Sequence, residues 1–412
     1  MRSPQQAAAM ESDPMTAPDT IPDTNIENLV IGGGLAGSML AIRLADAGRP
    51  VTLLEKERTA QHKVCGEFLS PEAVDYLHQV HIDPLRLGAQ EIRFIRLTSR
   101  RTIVESPLPF TALSLSRFAL DQALLARAEQ SGCTVQRGIF VDGLIQDSDL
   151  WRAQLRGQQP LSARNVFLAA GKHDLRGFTR APAAQGDLVA FKMHWRLDPA
   201  ETQELRDFIE LFLFAGGYGG HSLIECNLAE DGIANLCLVV CQARLRAVGG
   251  WSVLLASILD ESPLLRRRLH SATALWPRPL ALSSIPYGFL ANSPATLWRI
   301  GDQAAVIPSF AGDGMAIALH SAALAAEMYL AGASPNLFTR RLRNQLRPGM
   351  SLATLISRFI VSNSGRTLAP AALSLFPHAM QWIAASTRIP QRARLTKGPP
   401  NSLKLDTIPH QP

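Results

Sequence analysis

Three glycines at positions 32, 34 and 37 have the spacing G-x-G-x-x-G. In that pattern the first glycine makes a tight turn, the second lets a pyrophosphate reach backbone N–H groups, and the third permits close helix-to-strand packing. The apolar run Leu29, Val30 and Ile31 leads into the glycines, and Leu35, Ala36, Leu40 and Leu44 continue with helical spacing. The unit reads as strand, turn and helix, with an anion held where the helix N-terminus leaves N–H groups unpaired. Glu55 closes a second apolar run, 18 residues beyond Gly37, and Lys56 follows it. A carboxylate there accepts hydrogen bonds from ribose hydroxyls and repels a 2′-phosphate. This predicts a dinucleotide ligand, FAD or NAD.

Other residues with chemical potential need elements to carry them. Asp302 stands at the end of the apolar run 297–300, and Gly312, Asp313 and Gly314 open an Ala-rich helix predicted over 315–330, starting at Met315. Gly171 ends the strand-like run 165–169, which suggests a return to the nucleotide-binding sheet beside the cofactor. Arg117 heads a helix whose Leu120, Leu124 and Ala128 share a face, and Ser70, Pro71 and Glu72 form a helix start after Cys65 and Gly66. His194, Tyr218 and His221 are the candidates for proton handling. The alternation over 191–197 puts Lys192, His194 and Arg196 on one face, expected to be solvated. Tyr218 falls in the glycine-rich stretch 215–220, expected to be a mobile turn beside a cleft, and His221 directly follows it.

At 412 residues, with 47% apolar and 18% charged side chains, the chain has the size of two domains and ordinary globular composition. The net charge of +6 comes in short basic groups with few aromatics between them, which argues against a nucleic-acid groove. Five cysteines, at 65, 133, 226, 237 and 241, form neither C-x-x-C pairs nor a ligand cluster, so reduced thiols in a cytoplasmic protein are expected, with no metal. Residues 1–25 lack the apolar core of a signal peptide, and no run is long enough to span a bilayer. The apolar stretch 350–382 leaves room for peripheral membrane association.

With Lys63, Cys65 and Gly66, Arg117, the Gly301 and Asp302 pair and Gly312 to Gly314, the sequence resembles the FAD-dependent group that contains aromatic hydroxylases, geranylgeranyl reductases and flavin halogenases. The resemblance, over roughly residues 25–330, implies that Asp302 meets a ribityl hydroxyl of FAD and that the helix after Gly314 aims its positive end at the flavin pyrimidine. It places Arg117 near the flavin. The stretch from Gly171 to Gly177 departs from the Asp-Gly motif that hydroxylases tie to FAD and NAD(P)H. Tyr218 to His221 lacks the prenyl reductases' aromatic lid, and Trp251 is not followed by the halogenase signature. The resulting expectation is a monooxygenase in which NADH or NADPH reduces FAD and a flavin hydroperoxide oxygenates a hydrophobic aromatic or polyketide-type substrate, with O2 as co-substrate. An FAD-dependent reductase or dehydrogenase of a prenyl or other C=C bond is the enzymatic alternative, and a non-catalytic FAD-binding scaffold is the other.

The expected fold class is α/β: a Rossmann-like FAD-binding domain, an interleaved antiparallel-sheet substrate domain and C-terminal helices. Its divisions are a disordered leader, 1–25; the first part of the FAD-binding domain, 26–185; the substrate sheet, 186–296; the FAD-binding return, 297–335; helices, 336–390; and a tail, 391–412.

Overall fold

The computed structural model describes residues 26–181, 183–225, 232–376 and 378–395. The leader, Cys226 and most of the tail lie outside the described residues. Strand Ile26–Ile31 is central to a seven-stranded sheet, parallel to Val51–Glu55 on one side and Leu161–Leu168 on the other. Val30 sits opposite both Leu53 and Phe167, and all three are fully buried. A parallel strand covered on both faces has no polar side, so its sequence is continuously apolar. Helices Leu35–Asp46 and Gly314–Leu330 cover the face that carries Val30, Leu53 and Phe167, while Leu29, Ile31 and Leu54 on the other face pack on Val141, Leu144 and Trp151; the second helix is buried nearly all round, as its uniform apolar sequence requires. Gly37 makes this packing possible: a Cβ there would stand 1.8 Å from the Gly32 carbonyl oxygen.

The second sheet has nine strands, ordered from Thr273–Ala274 through Leu188–Arg196, Ile233–Cys241, Gly217–Leu223, Asp207–Phe214, Gln90–Ser99 and Thr102–Ser114 to Phe68–Leu69. Leu280–Ser283 also pairs with Leu188–Arg196. Three strands therefore come from 68–114, within the span read from sequence as FAD-binding, and Asp207–Phe214 runs parallel to Gln90–Ser99 rather than antiparallel. The chain crosses between the sheets several times. Helices Trp251–Glu261 and Pro263–Leu269 pack on one face of the second sheet. The other face looks toward the first sheet and the helices Pro335–Val361, Asn363–Leu375 and His378–Ser386.

The glycine-rich stretch is not a mobile turn. Gly217–Leu223 is an internal strand, and only Ala215 and Gly216 turn the hairpin. The glycines meet close neighbours: a Cβ on Gly217 would come within 2.3 Å of the Val239 carbonyl oxygen, and one on Gly219 within 2.3 Å of Leu238 Cδ2. Within a strand, glycine serves close approach rather than flexibility.

Candidate active site

A cavity of about 1840 Å³ runs between the sheets. At one end it is lined by Gly32, Gly34, Leu35, Ala36, Glu55 and Lys56; further along come Cys65, Gly66, Arg117 and Gly171; then Asp302, Gly312, Gly314 and Met315. Gly37 lies beneath Gly32 instead of on the wall. Apart from Gly37, the residues singled out as cofactor contacts, spread over nearly 300 positions, thus border one space.

The glycine turn is open on its cavity side. A Cβ at Gly34 would lie 3.5 Å from Arg117 Nη2 and 3.8 Å from Lys63 Nζ, so two cations flank the first turn of the helix. Arg117 donates to both oxygens of Asp121, at 2.9 and 3.0 Å, while Lys63 stands 2.7 Å from Asp121 Oδ2. Burial would raise the Asp121 carboxyl, but the two cations outweigh it and hold it below the usual carboxylate value. Two positive charges on one carboxylate leave a net positive site where an anion would meet the helix N-terminus. Lys63 was legible only as part of a motif; its place beside Gly34 was not.

Glu55 is oriented by the backbone N–H groups of Gly33, at 2.6 Å, and Glu57, at 3.0 Å. At the other end, Gly301 adopts φ +60° and a Cβ there would press on Ala36, which fixes the turn presenting Asp302. The Asp302 carboxylate lies 3.9 Å from Lys172 Nζ. Gln303 ties this turn to the end of the first sheet by donating to the carbonyls of Gly171, at 2.8 Å, and His173, at 2.9 Å.

Between these ends the loop 63–67 is fastened carbonyl by carbonyl. Lys192 Nζ donates to Lys63 O at 3.1 Å, Lys172 Nζ to Val64 O at 3.3 Å, and Asn235 Nδ2 to Cys65 O at 3.1 Å. Glu67, fully buried and held at φ 58°, closes the loop. Its carboxylate accepts from Lys192, from the Arg117 backbone N–H at 2.7 Å and from His194 Nε2 at 2.9 Å. Burial alone would raise this carboxyl, but Lys192 and His194 bring it below its ordinary value. His62 packs edge-on to His194, and burial, with His194 and Lys192 beside it, lowers it to about 4. His62, Glu67 and His194 bring ligand atoms within 4.8 Å of one another, but the Lys192 ammonium already occupies the carboxylate a cation would need.

This corrects the solvated polar face expected of 191–197. Lys192 is fully buried and His194 is 2% exposed, because the face meets the loop 63–67 instead of water; Arg196 alone is exposed. His194 is spent on Glu67 and does not line the cavity. Strand parity separates the other two candidates. Tyr218 faces the cavity with its hydroxyl 3.1 Å from Ser309 Oγ, and burial raises its pKa. His221, three residues on, points to the opposite face, near Phe212, with Nδ1 3.7 Å from Glu210, and has no opening to the cavity. Tyr218 and Tyr287 share an apolar part of the cavity wall with Leu97, Leu211, Leu213, Ile360, Leu373 and Met380.

Residues 25–167 match the family described as the FAD binding domain. The chain is an FAD-dependent oxidoreductase. This flavoprotein is 24% identical over 373 residues to the menaquinone reductase of Mycobacterium tuberculosis, a match covering 85% of this chain and 89% of that protein. It is 26% identical over 185 residues to a probable electron transfer flavoprotein-quinone oxidoreductase of Escherichia coli, covering 43% of this chain and 44% of that protein, so it spans less than half of that relative. A halogenase solved with phloroglucinol and FAD superposes with a TM-score of 0.69 over 87% of this chain and 85% of the other, at 14% identity. At that identity the likeness is one of fold: a Rossmann-like FAD-binding domain with an interleaved second sheet.

Proposed function

We propose that the flavoprotein is a monooxygenase that hydroxylates a hydrophobic aromatic or polyketide-type molecule, using O2 and electrons from NADH or NADPH. The observation that carries this reading is the two-part cavity. One arm has the glycine turn, the Arg117 and Lys63 cations and the two terminal carboxylates that an extended dinucleotide needs. The other is walled by apolar side chains, with Tyr218 among them.

In this reading Glu55 binds the adenosine ribose, and the N–H groups after Gly34, with Arg117 and Lys63, take the pyrophosphate. Asp302 and the helix after Gly314 meet the ribityl chain and the flavin ring, and Cys65 and Gly66 border it. Bound FAD supplies the two-electron redox chemistry that side chains lack. The chain's own part is positioning and exclusion of water. Loop 63–67, pinned at three successive carbonyls, is a rigid edge of the site. Tyr218 stays protonated and donates to a substrate oxygen, orienting the ring, while the apolar arm keeps water from the reacting atoms. The cytoplasm, which supplies the nicotinamide, is the assigned compartment.

One observation favours a second reading, an FAD-dependent reductase or dehydrogenase acting on a prenyl or other C=C bond: a relative that matches over most of both chains is named a menaquinone reductase. Turnover with and without oxygen separates the two. A monooxygenase stops under argon with its flavin reduced; continued formation of a saturated product under argon overturns the hydroxylation reading. Flavin that no nicotinamide or cell extract reduces favours the scaffold.

A further inference from the structure

Between Glu327 and Asp406 the sequence holds eleven Lys and Arg and no Asp or Glu, in a chain that otherwise has more acids than bases. The same segment builds the three helices that close the cavity, and these are apolar on two sides. Inward, Ile356, Ile360, Leu373, Met380 and Ile383 line the cavity. Outward, Leu355 is 68% exposed, Phe359 44%, Leu368 56%, Leu375 76%, Phe376 69% and Trp382 60%. Leu355 and Phe359 lie four apart on one helix, Leu368 and Leu375 seven apart on the next, so each pair shares a face. Phe359 belongs to both sets: it lines the cavity and reaches the surface, which places it at an opening.

The cations of the described residues divide into two groups. Arg341 pairs with Glu327, Arg343 donates to the Leu290 carbonyl, and Arg366 is held by Glu261, Arg388 by Asp313 and Arg394 by Glu72, so these fasten the segment to the body of the protein. Arg340, Arg347, Arg358 and Arg392 are exposed, and Arg358 stands between Leu355 and Phe359 on the outward face. Clustered exposed aromatic and aliphatic side chains, bordered by arginines with no acid in the segment, match an interface that is apolar in depth and anionic at its surface. Among the described residues no helix is long and apolar enough to cross a membrane, so the helices would lie in the headgroup region.

We propose that the outward face of Pro335–Val361, Asn363–Leu375 and His378–Ser386 docks on an anionic phospholipid bilayer, with the cavity mouth at Phe359 turned toward the lipid. The surface stands independently of the reaction assigned above; only the corollary that the apolar arm loads from the bilayer rests on that reading.

The test is co-sedimentation of the FAD-loaded full chain with phosphatidylcholine vesicles, with and without phosphatidylglycerol, at low and high salt. Each exposed arginine is worth about fivefold in affinity near an anionic surface, so binding should rise more than ~10-fold with phosphatidylglycerol and fall with salt. The combined variant Leu375→Ser, Phe376→Ser and Trp382→Ser should lose at least ~10-fold in binding while keeping its flavin, since these side chains are exposed. Arg358→Glu should weaken binding to anionic vesicles only. A wild-type protein that stays in the supernatant with anionic vesicles overturns the proposal, and so does a triple variant that sediments equally well. A dimer abolished by the triple variant, without vesicle binding, assigns the face to a second copy instead. None of these outcomes depends on turnover, so failure of the hydroxylation reading leaves the test intact.

Discussion

Gly34 and Gly37 are three residues apart, yet replacing each by alanine should fail differently. A Cβ at Gly37 would stand 1.8 Å from the Gly32 carbonyl oxygen and 3.2 Å from Ala169 Cβ, backbone on one side and a packed methyl on the other. Helix and strand must separate by more than ~1 Å, in the middle of the first sheet's core, where overpacking costs about 1–3 kcal/mol or more. Gly34 has φ −78°, which alanine adopts freely, and its Cβ would meet only Arg117 and Lys63 at ordinary contact distances. Gly34→Ala should therefore leave the urea midpoint within experimental error while placing a methyl where the pyrophosphate must approach. Its FAD affinity should drop by ~10- to 100-fold, about 1.4–2.7 kcal/mol. Gly37→Ala should lower both the urea midpoint and flavin content. The assay pairs urea unfolding of the apoprotein with FAD titration by flavin fluorescence. Full FAD affinity in Gly34→Ala, or an apoprotein destabilised as much as Gly37→Ala, would refute the reasoning.

Glu67→Gln should destabilise the fold by about 3–5 kcal/mol, because it leaves Lys192 buried without its counter-charge, and Glu67→Gln with Lys192→Met should recover much of the loss in urea unfolding. Burial pushes Asp313 up to about 7 despite Arg388. The folded state therefore binds its proton more tightly than the unfolded chain, and this contribution to stability declines from about pH 4 and is lost as pH rises through about 7; Asp313→Asn should flatten that decline between pH ~4 and ~7, read from urea midpoints across the range. Tyr218→Phe should raise KM or lower kcat several-fold for a phenolic substrate, while His221→Gln should leave both within about twofold; a large loss in His221→Gln alone would reverse the assignment of faces.

The parts legible in the sequence are those set by neighbouring residues. The glycine turn, Glu55 and the helix from Gly314 are local patterns whose spacing implies their geometry. Glu67 was invisible because its side-chain partners, Lys192 and His194, lie more than 100 residues away and acquire meaning only when the second sheet closes on the loop 63–67. The polar alternation around His194 was read with the right parity and the wrong surroundings: alternation reports which side chains share a face, not whether water or a second layer covers it. Gly216 to Gly220 looked like a loop because glycine usually punctuates, and here it thins an internal strand. The acid-free C-terminal segment is visible in composition, but which of its apolar residues face the cavity and which face outward is set by the helices they fall on.

The most direct test of the central claim, that one cavity holds FAD from adenosine to flavin ring, compares FAD with FMN, which lacks the adenosine half, on apoprotein of the wild type, Glu55→Ala and Asp302→Ala. The account predicts that Glu55→Ala loses affinity for FAD and leaves FMN binding unchanged, whereas Asp302→Ala weakens both alike. Equal weakening of FAD and FMN by Glu55→Ala, or unaltered FMN binding in Asp302→Ala, would contradict it.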